Sequence, residues 1–297
     1  MGYPLIILKR IFRNLYFLMF LNGFVLASLF YFNMESDYEN GLFASIKYSI
    51  DAKIDGNDTP DSVVVKAMNA CHQLMVNRLP TFANNNTKLG AEAGFFHSTS
   101  VDLMTTMGAC GSYSQVLARI IESYHYPVRI AQMKANGIYG AHNIVEVNTG
   151  RYWVVLDPTF NLCFIRPDAR LASFEDVSKN WAYYMKQVPT NYDMNYRYED
   201  VRYTNWTKIP LVMPALKKLL TLAIGSERTN SFSMRTFFMN TFHVYFYFAL
   251  IFEIGLVLMT ARLLIKTQVF PRRDIPVTAR NLIKYLRLRQ DGTFLSH

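Results

Sequence analysis

The chain has 297 residues, of which 51% are hydrophobic, and a formal net charge of +9. That charge is unevenly placed: residues 1–13 carry +3, residues 34–235 carry +1, Glu253 contributes −1, and residues 262–297 carry +6. The basic character belongs to the two ends, so the near-neutral middle excludes a nucleic-acid footprint on the globular part.

Lys9, Arg10 and Arg13 precede an uncharged run at 14–33, rich in Leu, Phe, Tyr, Val and Ala. A helix of that length crosses a hydrocarbon core of about 30 Å. The run is longer than the apolar part of a cleaved signal peptide, and the bulky Leu29-Phe30-Tyr31-Phe32 stands where small residues would mark a cut, so it reads as a retained anchor. A second apolar stretch, 236–261, is interrupted by His243 and Glu253 and bracketed by Arg235 and Arg262. Glu253 is expected to be protonated or to pair with a polar group such as Asn22, because an ionisable residue in a span needs a partner. Basic residues lie before the first span and after the second. The positive-inside rule therefore puts 1–13 and 262–297 in the cytoplasm and the intervening domain in the periplasm of a bacterial inner membrane, with membrane lipids as neighbours.

Between the spans, Gly56-Asn57-Asp58-Thr59-Pro60 reads as a loop before a helix over 62–78, capped by Thr59 or Asp61. Val64, Ala67, Met68, Cys71 and Met75 form its apolar face, and Leu79-Pro80 is expected to stop it. Residues 89–107 read as irregular with one short helix. Asn57, Asn85 and Asn205 head Asn-x-Thr sequons, which accept glycans only in a host that glycosylates secreted proteins.

From Gly111 the pattern turns helical, with Tyr113, Leu117, Ile120, Ile121 and Tyr124 on one side, and His125-Tyr126-Pro127 ends it. Strands are expected over 128–133, 141–147 and 152–156, with a loop through Gly137 and Gly140 and a reversal at Thr149-Gly150. A helix over 173–186 follows. Tyr192, Tyr196, Tyr198, Tyr203 and Trp206 suit ordinary core packing, or else a cleft that stacks on sugars or peptides. Residues 209–235 form an apolar juxtamembrane segment carrying Lys217 and Lys218, suited to the membrane surface. Beyond the second span, Ala279, Leu282, Ile283 and Leu286 recur at helical spacing among basic residues, a pattern for anionic headgroups or a protein partner. The fold class expected for 34–208 is α+β, a helix against antiparallel strands.

Cys110 stands at the predicted start of a helix, where unpaired backbone N–H groups lower a thiol pKa. Gly108 and Gly111 leave room for a substrate backbone and permit a sharp entry to the helix. An even-numbered turn at Thr149-Gly150 places His142 directly opposite Asp157, close enough for imidazole to meet carboxylate. A three-residue loop would break that pairing. In the even register His142 takes the thiol proton and Asp157 holds the ring. The Cys110 N–H and a second donor, with Gln73 a weak candidate, would bind an oxyanion. Singly, each residue has a structural reading: a buried hydrophobe, a satisfied histidine, a strand-ending turn. Zinc is disfavoured because Cys71-His72 and Cys110 lack paired ligand spacing, and no cofactor is implied. If Cys110 is a nucleophile it stays free, and Cys71 and Cys163 are the pair available for a disulfide, which an odd count leaves open.

Four runs carry a family resemblance: Gly108-Ala109-Cys110-Gly111-Ser112-Tyr113-Ser114, Tyr126-Pro127-Val128-Arg129, Ala141-His142-Asn143-Ile144-Val145-Glu146-Val147 and Trp153-Val154-Val155-Leu156-Asp157-Pro158-Thr159. Together they resemble the transglutaminase-like branch of the papain-like superfamily, clearly over about 50 residues. The resemblance implies a Cys110-His142-Asp157 triad. It also implies acyl transfer or hydrolysis through a thioester, and a periplasmic position makes peptide, protein or glycan material of the cell envelope the accessible substrate. The chain departs from the family in having Asn143-Ile144 after the histidine, where members often carry an aromatic residue, and the family includes members that have lost activity. The alternative function is a non-catalytic binding or assembly module of an envelope complex. A transporter ranks last, since two spans would have to oligomerise to enclose a path.

Overall fold

The computed structural model describes residues 14–83 and 97–269; the basic flank 1–13, the sequon at Asn85 and the tail from 270 lie outside them. The described residues divide into two compact units, one within 30–247 and one made of 14–29 with 248–269.

Helix α1, Leu15–Asp51, begins where the Asn14 side chain accepts from the Tyr16 N–H at 3.0 Å. At 1.5 Å per residue it is about 55 Å long, well beyond a hydrocarbon core. The uncharged run ends at Asn33, and aromatic and charged residues follow it. The structure continues the helix because Phe43, Ile46 and Ile50 recur on one face and enter the core of the larger unit. Thr59 caps α2, Pro60–Met75, accepting from Ser62 N–H at 3.2 Å with Pro60 in the first turn. The short α3, Arg78–Ala83, runs through the expected stop at Leu79-Pro80, since a proline in a first helical turn gives up an N–H that had no partner. Then come α4, Thr99–Thr105, and α5, Cys110–Glu122.

Five antiparallel strands follow: β1 Val128–Ala135, β2 Ile138–Asn148, β3 Trp153–Asp157, β4 Leu162–Cys163 and β5 Val201–Arg202, in the order β4-β3-β2-β1-β5. The expected loop at Gly137 is a two-residue turn in which Asn136 and Gly137 both have positive φ, 49° and 82°. Asn-Gly takes up that geometry with little strain and it matches the strand twist. The β1–β2 pairing then shifts between Lys134↔Tyr139 and Met133↔His142, so that Gly140 and Ala141 bulge out just before His142. Between β2 and β3 the closing pair is Asn148↔Trp153, and Val145 lies opposite Leu156. The register is thus two residues away from the direct His142–Asp157 pairing expected from the sequence. A shift of two leaves every side chain on its expected face, because strand alternation has period two.

One face of the sheet packs Val145, Val147, Val154 and Leu156 against α2, α5 and the end of α1. The other face carries an aromatic core of Phe164, Tyr184, Tyr192 and Tyr198. The expected single helix over 173–186 is broken at Asn180 into α6, Phe174–Lys179, begun by a Ser173–Asp176 capping box, and α7, Trp181–Tyr184, followed by a 3-10 turn. After β5 come α8 Val212–Ile224, α9 Ser226–Asn230, α10 Met234–Phe237 and α11 Thr241–Val269. Residues 236–240, read as the start of the second span, pack instead on the globular unit: Met239 is 2% exposed and its carbonyl accepts from Thr99 Oγ1 at 2.6 Å. β5 is only two residues long, so Thr236 Oγ1 and Ser233 Oγ complete the rest of the β1 edge, the first accepting from Ile130 N–H at 3.0 Å and the second donating to Ile130 O at 2.8 Å.

Helices α1 and α11 are long and apolar enough to cross a membrane. In the smaller unit, Leu18, Val25 and Leu256 pack together. The Asn22 amide donates to Leu18 O at 2.6 Å and Thr260 Oγ1 at 3.1 Å. Of the two alternatives expected for Glu253, the pairing with Asn22 is replaced by these two neutral acceptors, and Glu253 Oε2 has no hydrogen-bond partner among the described residues. The continuation of α1 into the core predicts that Ile50→Ala, 1% exposed, lowers unfolding stability by about 2–5 kcal/mol. Tyr48→Ala, 79% exposed, is expected to leave the melting curve of the full chain in detergent nearly unchanged.

Candidate active site

Cys110 opens α5 after a tight turn. Ser112 Oγ donates to buried Asp102 on α4 and accepts from Gly108 N–H at 2.8 Å, tying the turn to the preceding helix. Gly108 and Gly111 were expected to supply the backbone freedom for this entry. The positive φ falls instead on Ala109, at φ 45°, ψ −122°, a conformation that costs a side-chain-bearing residue about 1–3 kcal/mol. The two glycines supply space: a Cβ at Gly108 would lie 2.7 Å from Ser112 Oγ, and one at Gly111 would lie 3.2 Å from Arg235 Nη1.

His142 leaves the bulge of β2, and Asp157 ends β3. His142 Nε2 and Asp157 Oδ2 are 2.7 Å apart, with the residues 2% and 0% exposed. Asp157 Oδ1 accepts from Thr159 N–H at 3.1 Å. Cys110 and His142 lie close enough to influence each other's charge, each favouring the ionised form of the other. The structure thus brings together the three residues singled out in the sequence, with His142 hydrogen-bonded to Asp157 and the half-buried Cys110 electrostatically coupled to His142. The His142–Asp157 contact is diagonal across the strands rather than directly opposed.

Burial is the largest influence on Cys110 and opposes its ionisation. The hydrogen bond and charge of His142, with donors from Asn143, outweigh it and hold the thiol below its ordinary value. Burial also disfavours a charged His142, but the Asp157 carboxylate and the Cys110 sulfur push the imidazole up to about 10. With Cys110 lowered and His142 raised, each partner favours the charged form of the other. The other two thiols, Cys71 and Cys163, are free, and burial pushes both up. Cys110 alone of the three has the electrostatics of a nucleophile.

Two neighbours escaped the sequence reading. Asn143 Nδ2 donates to Cys110 Sγ at 3.3 Å, so the side-chain amide at the thiol comes from the residue after His142, while Gln73 is exposed on α2. The aromatic side chain Tyr196 stacks on the His142 ring at 4.5 Å and 11°, with Phe160 at 5.7 Å. Sequence distance concealed it: an aromatic ring is supplied beside the histidine from more than fifty positions downstream. Tyr192 and Tyr198 are buried, the packing role the sequence allowed for them. No family model, curated protein or solved structure matches the chain.

Because a Cβ at Gly108 collides with Ser112, Gly108→Ala is expected to displace the turn and cost about 1–3 kcal/mol. Ala109→Gly relieves the positive φ and is expected to raise the unfolding midpoint. Thermal melts of both variants, read together, check that the strain sits at Ala109.

Proposed function

We propose that the protein is a membrane-anchored, transglutaminase-like thiol enzyme that transfers or hydrolyses acyl groups through a thioester. The observation that carries this reading is the buried 2.7 Å His142–Asp157 pair beside Cys110 at the start of α5, with the thiol lowered and the imidazole raised. In the first step the Cys110 thiolate attacks an amide or ester carbonyl, forming the S–C bond and an oxyanion. The N–H groups at the start of α5 and the Asn143 amide are the donors available to that oxyanion. The tetrahedral centre collapses as the C–N or C–O bond breaks and His142 gives its proton to the leaving amine or alcohol. In the second step water or an amine attacks the thioester, His142 accepts its proton, and the C–S bond breaks to restore the thiolate. Asp157 holds the ring and stabilises its charged form throughout. Two helices long and apolar enough to span support attachment to a membrane. The charge excess at both ends supports an orientation with the domain on the periplasmic side, facing envelope peptides, proteins or polysaccharides.

The test is alkylation of Cys110 by iodoacetamide as a function of pH, read by peptide mass spectrometry on the full chain. His142 is what holds the thiol low, while burial alone would raise it. Removing the imidazole must therefore move the titration upward. Wild type should react well below the free-thiol range of about 8.5, and His142→Ala should lose that low-pH reactivity. Asp157→Asn removes the main support for imidazolium and should shift the profile the same way, with acyl transfer, once a substrate is found, falling about 10²–10⁴-fold. A Cys110 whose profile ignores His142 overturns the enzyme reading and leaves the assembly module.

A further inference from the structure

A cavity of about 690 Å³ lies beside the thiol, within the range of small-ligand sites. Gly108, Gly111, Ser112 and Asn143 contribute to its lining, and so do the apolar side chains Met213 and Leu216 of α8 and Phe238. Its fixed charges are two cations, Lys208 and Arg235, and one carboxylate, Asp102. Asp102 Oδ1 is engaged by Ser112 Oγ and by His97 Nε2 at 3.2 Å, while Oδ2 has no hydrogen-bond partner among the described residues. Neither Lys208 nor Arg235 forms an ion pair among the described residues.

Arg235 had read as a residue bracketing the second span. Its neighbours show another role for its position. Ser233 and Thr236 are both bonded to Ile130, and Met234 N–H donates to Thr204 Oγ1 at 3.0 Å, so the turn that bears Arg235 is pinned to the sheet. The guanidinium reaches the start of α5: a Cβ on Gly111 would be 3.2 Å from Arg235 Nη1 and 3.8 Å from the Asn143 amide nitrogen that contacts Sγ. An unpaired guanidinium at that place attracts a carboxylate or phosphate oxygen, which it can bind through two parallel N–H groups.

We propose that this cavity is the acyl-donor site, and that it selects anionic amphiphiles: Arg235 binds a negatively charged group near the scissile carbonyl, and Met213, Leu216 and Phe238 hold an apolar portion. This rests on the thiol-enzyme reading and names its substrate class. A peptide-type carboxylate and a lipid-type phosphate share the required chemistry.

The experiment compares alkylation of Cys110 by iodoacetate, which carries a carboxylate, and by neutral iodoacetamide. It uses the full chain in a neutral detergent at about pH 9.5, where even an ordinary thiol is ionised. Arg235→Gln is expected to lower the iodoacetate rate roughly fivefold relative to the iodoacetamide rate, and Arg235→Lys to keep most of the preference. An unchanged ratio in Arg235→Gln, or an equal loss in Arg235→Lys, overturns recognition by charge. Protection of Cys110 from iodoacetamide then tests the apolar part. Monomeric decanoate and decyl phosphate should each protect at concentrations at least about tenfold below those of acetate and inorganic phosphate. Equal protection by long and short anions overturns the amphiphile, and the better of the two long anions identifies the headgroup. Since these rates do not depend on an activated thiol, failure of the enzyme reading appears separately, as low-pH reactivity that ignores His142.

Discussion

A histidine buried against a carboxylate, His142 with Asp157, is the constraint on which the larger unit depends. Taking either charge out of water alone costs several kcal/mol, and the pair is tolerable only when geometry is good and the remaining lone pairs are satisfied. The fold meets both conditions locally. Thr159 N–H occupies the second carboxylate oxygen, the sheet holds β2 and β3 within 2.7 Å at the two side chains, and Tyr196 and Phe160 cover the ring. The bulge at Gly140 and Ala141 lies immediately before His142, where a regular strand would have continued the β1 pairing unbroken. The aromatic second core is therefore tied to the site: it excludes water from the face on which the charge pair is buried.

The elements readable from the sequence are those set by local rules. The apolar stripe of α5, the Thr59 cap of α2 and the alternation of β2 and β3 each follow from neighbours within a few residues. The face shared by His142 and Asp157 was readable for the same reason, since parity depends only on whether the reversal is even. The exact pairing was not. Asn148↔Trp153 closes a four-residue loop in which Gly150 N–H bonds Asn148 Oδ1, and a two-residue turn would have satisfied the same pattern. Helix α1 ran on past its apolar run because its continuation is amphipathic and buries Phe43 and Ile50 against partners distant in the chain. Asn180 broke a helix that periodicity alone would have continued.

The residues around the thiol divide along the same line. Cys110, His142 and Asp157 stand in motifs that announce themselves, whereas Asn143, Tyr196 and Arg235 matter only through where the chain brings them. Asn143 is adjacent to His142 in the chain, and only the folded structure shows that its side-chain amide reaches Cys110 Sγ. Arg235 carried a plausible sequence signal of another kind, the basic residue beside an apolar segment, and that signal belonged to its composition rather than to its surroundings.

The two-residue β5 has a practical consequence for anyone cutting this protein down to a soluble form. Ending the chain at residue 208, the apparent end of the globular pattern, would remove Ser233 and Thr236 and leave the Ile130 amide and carbonyl without their hydroxyl partners. It would also strip Met239 from Ala118 and Ile130. A bared strand edge beside an uncovered apolar patch invites pairing with a second molecule. A truncation that behaves as a monomer in solution would have to keep the chain through about Asn240, although that stretch reads in the sequence as the approach to a membrane.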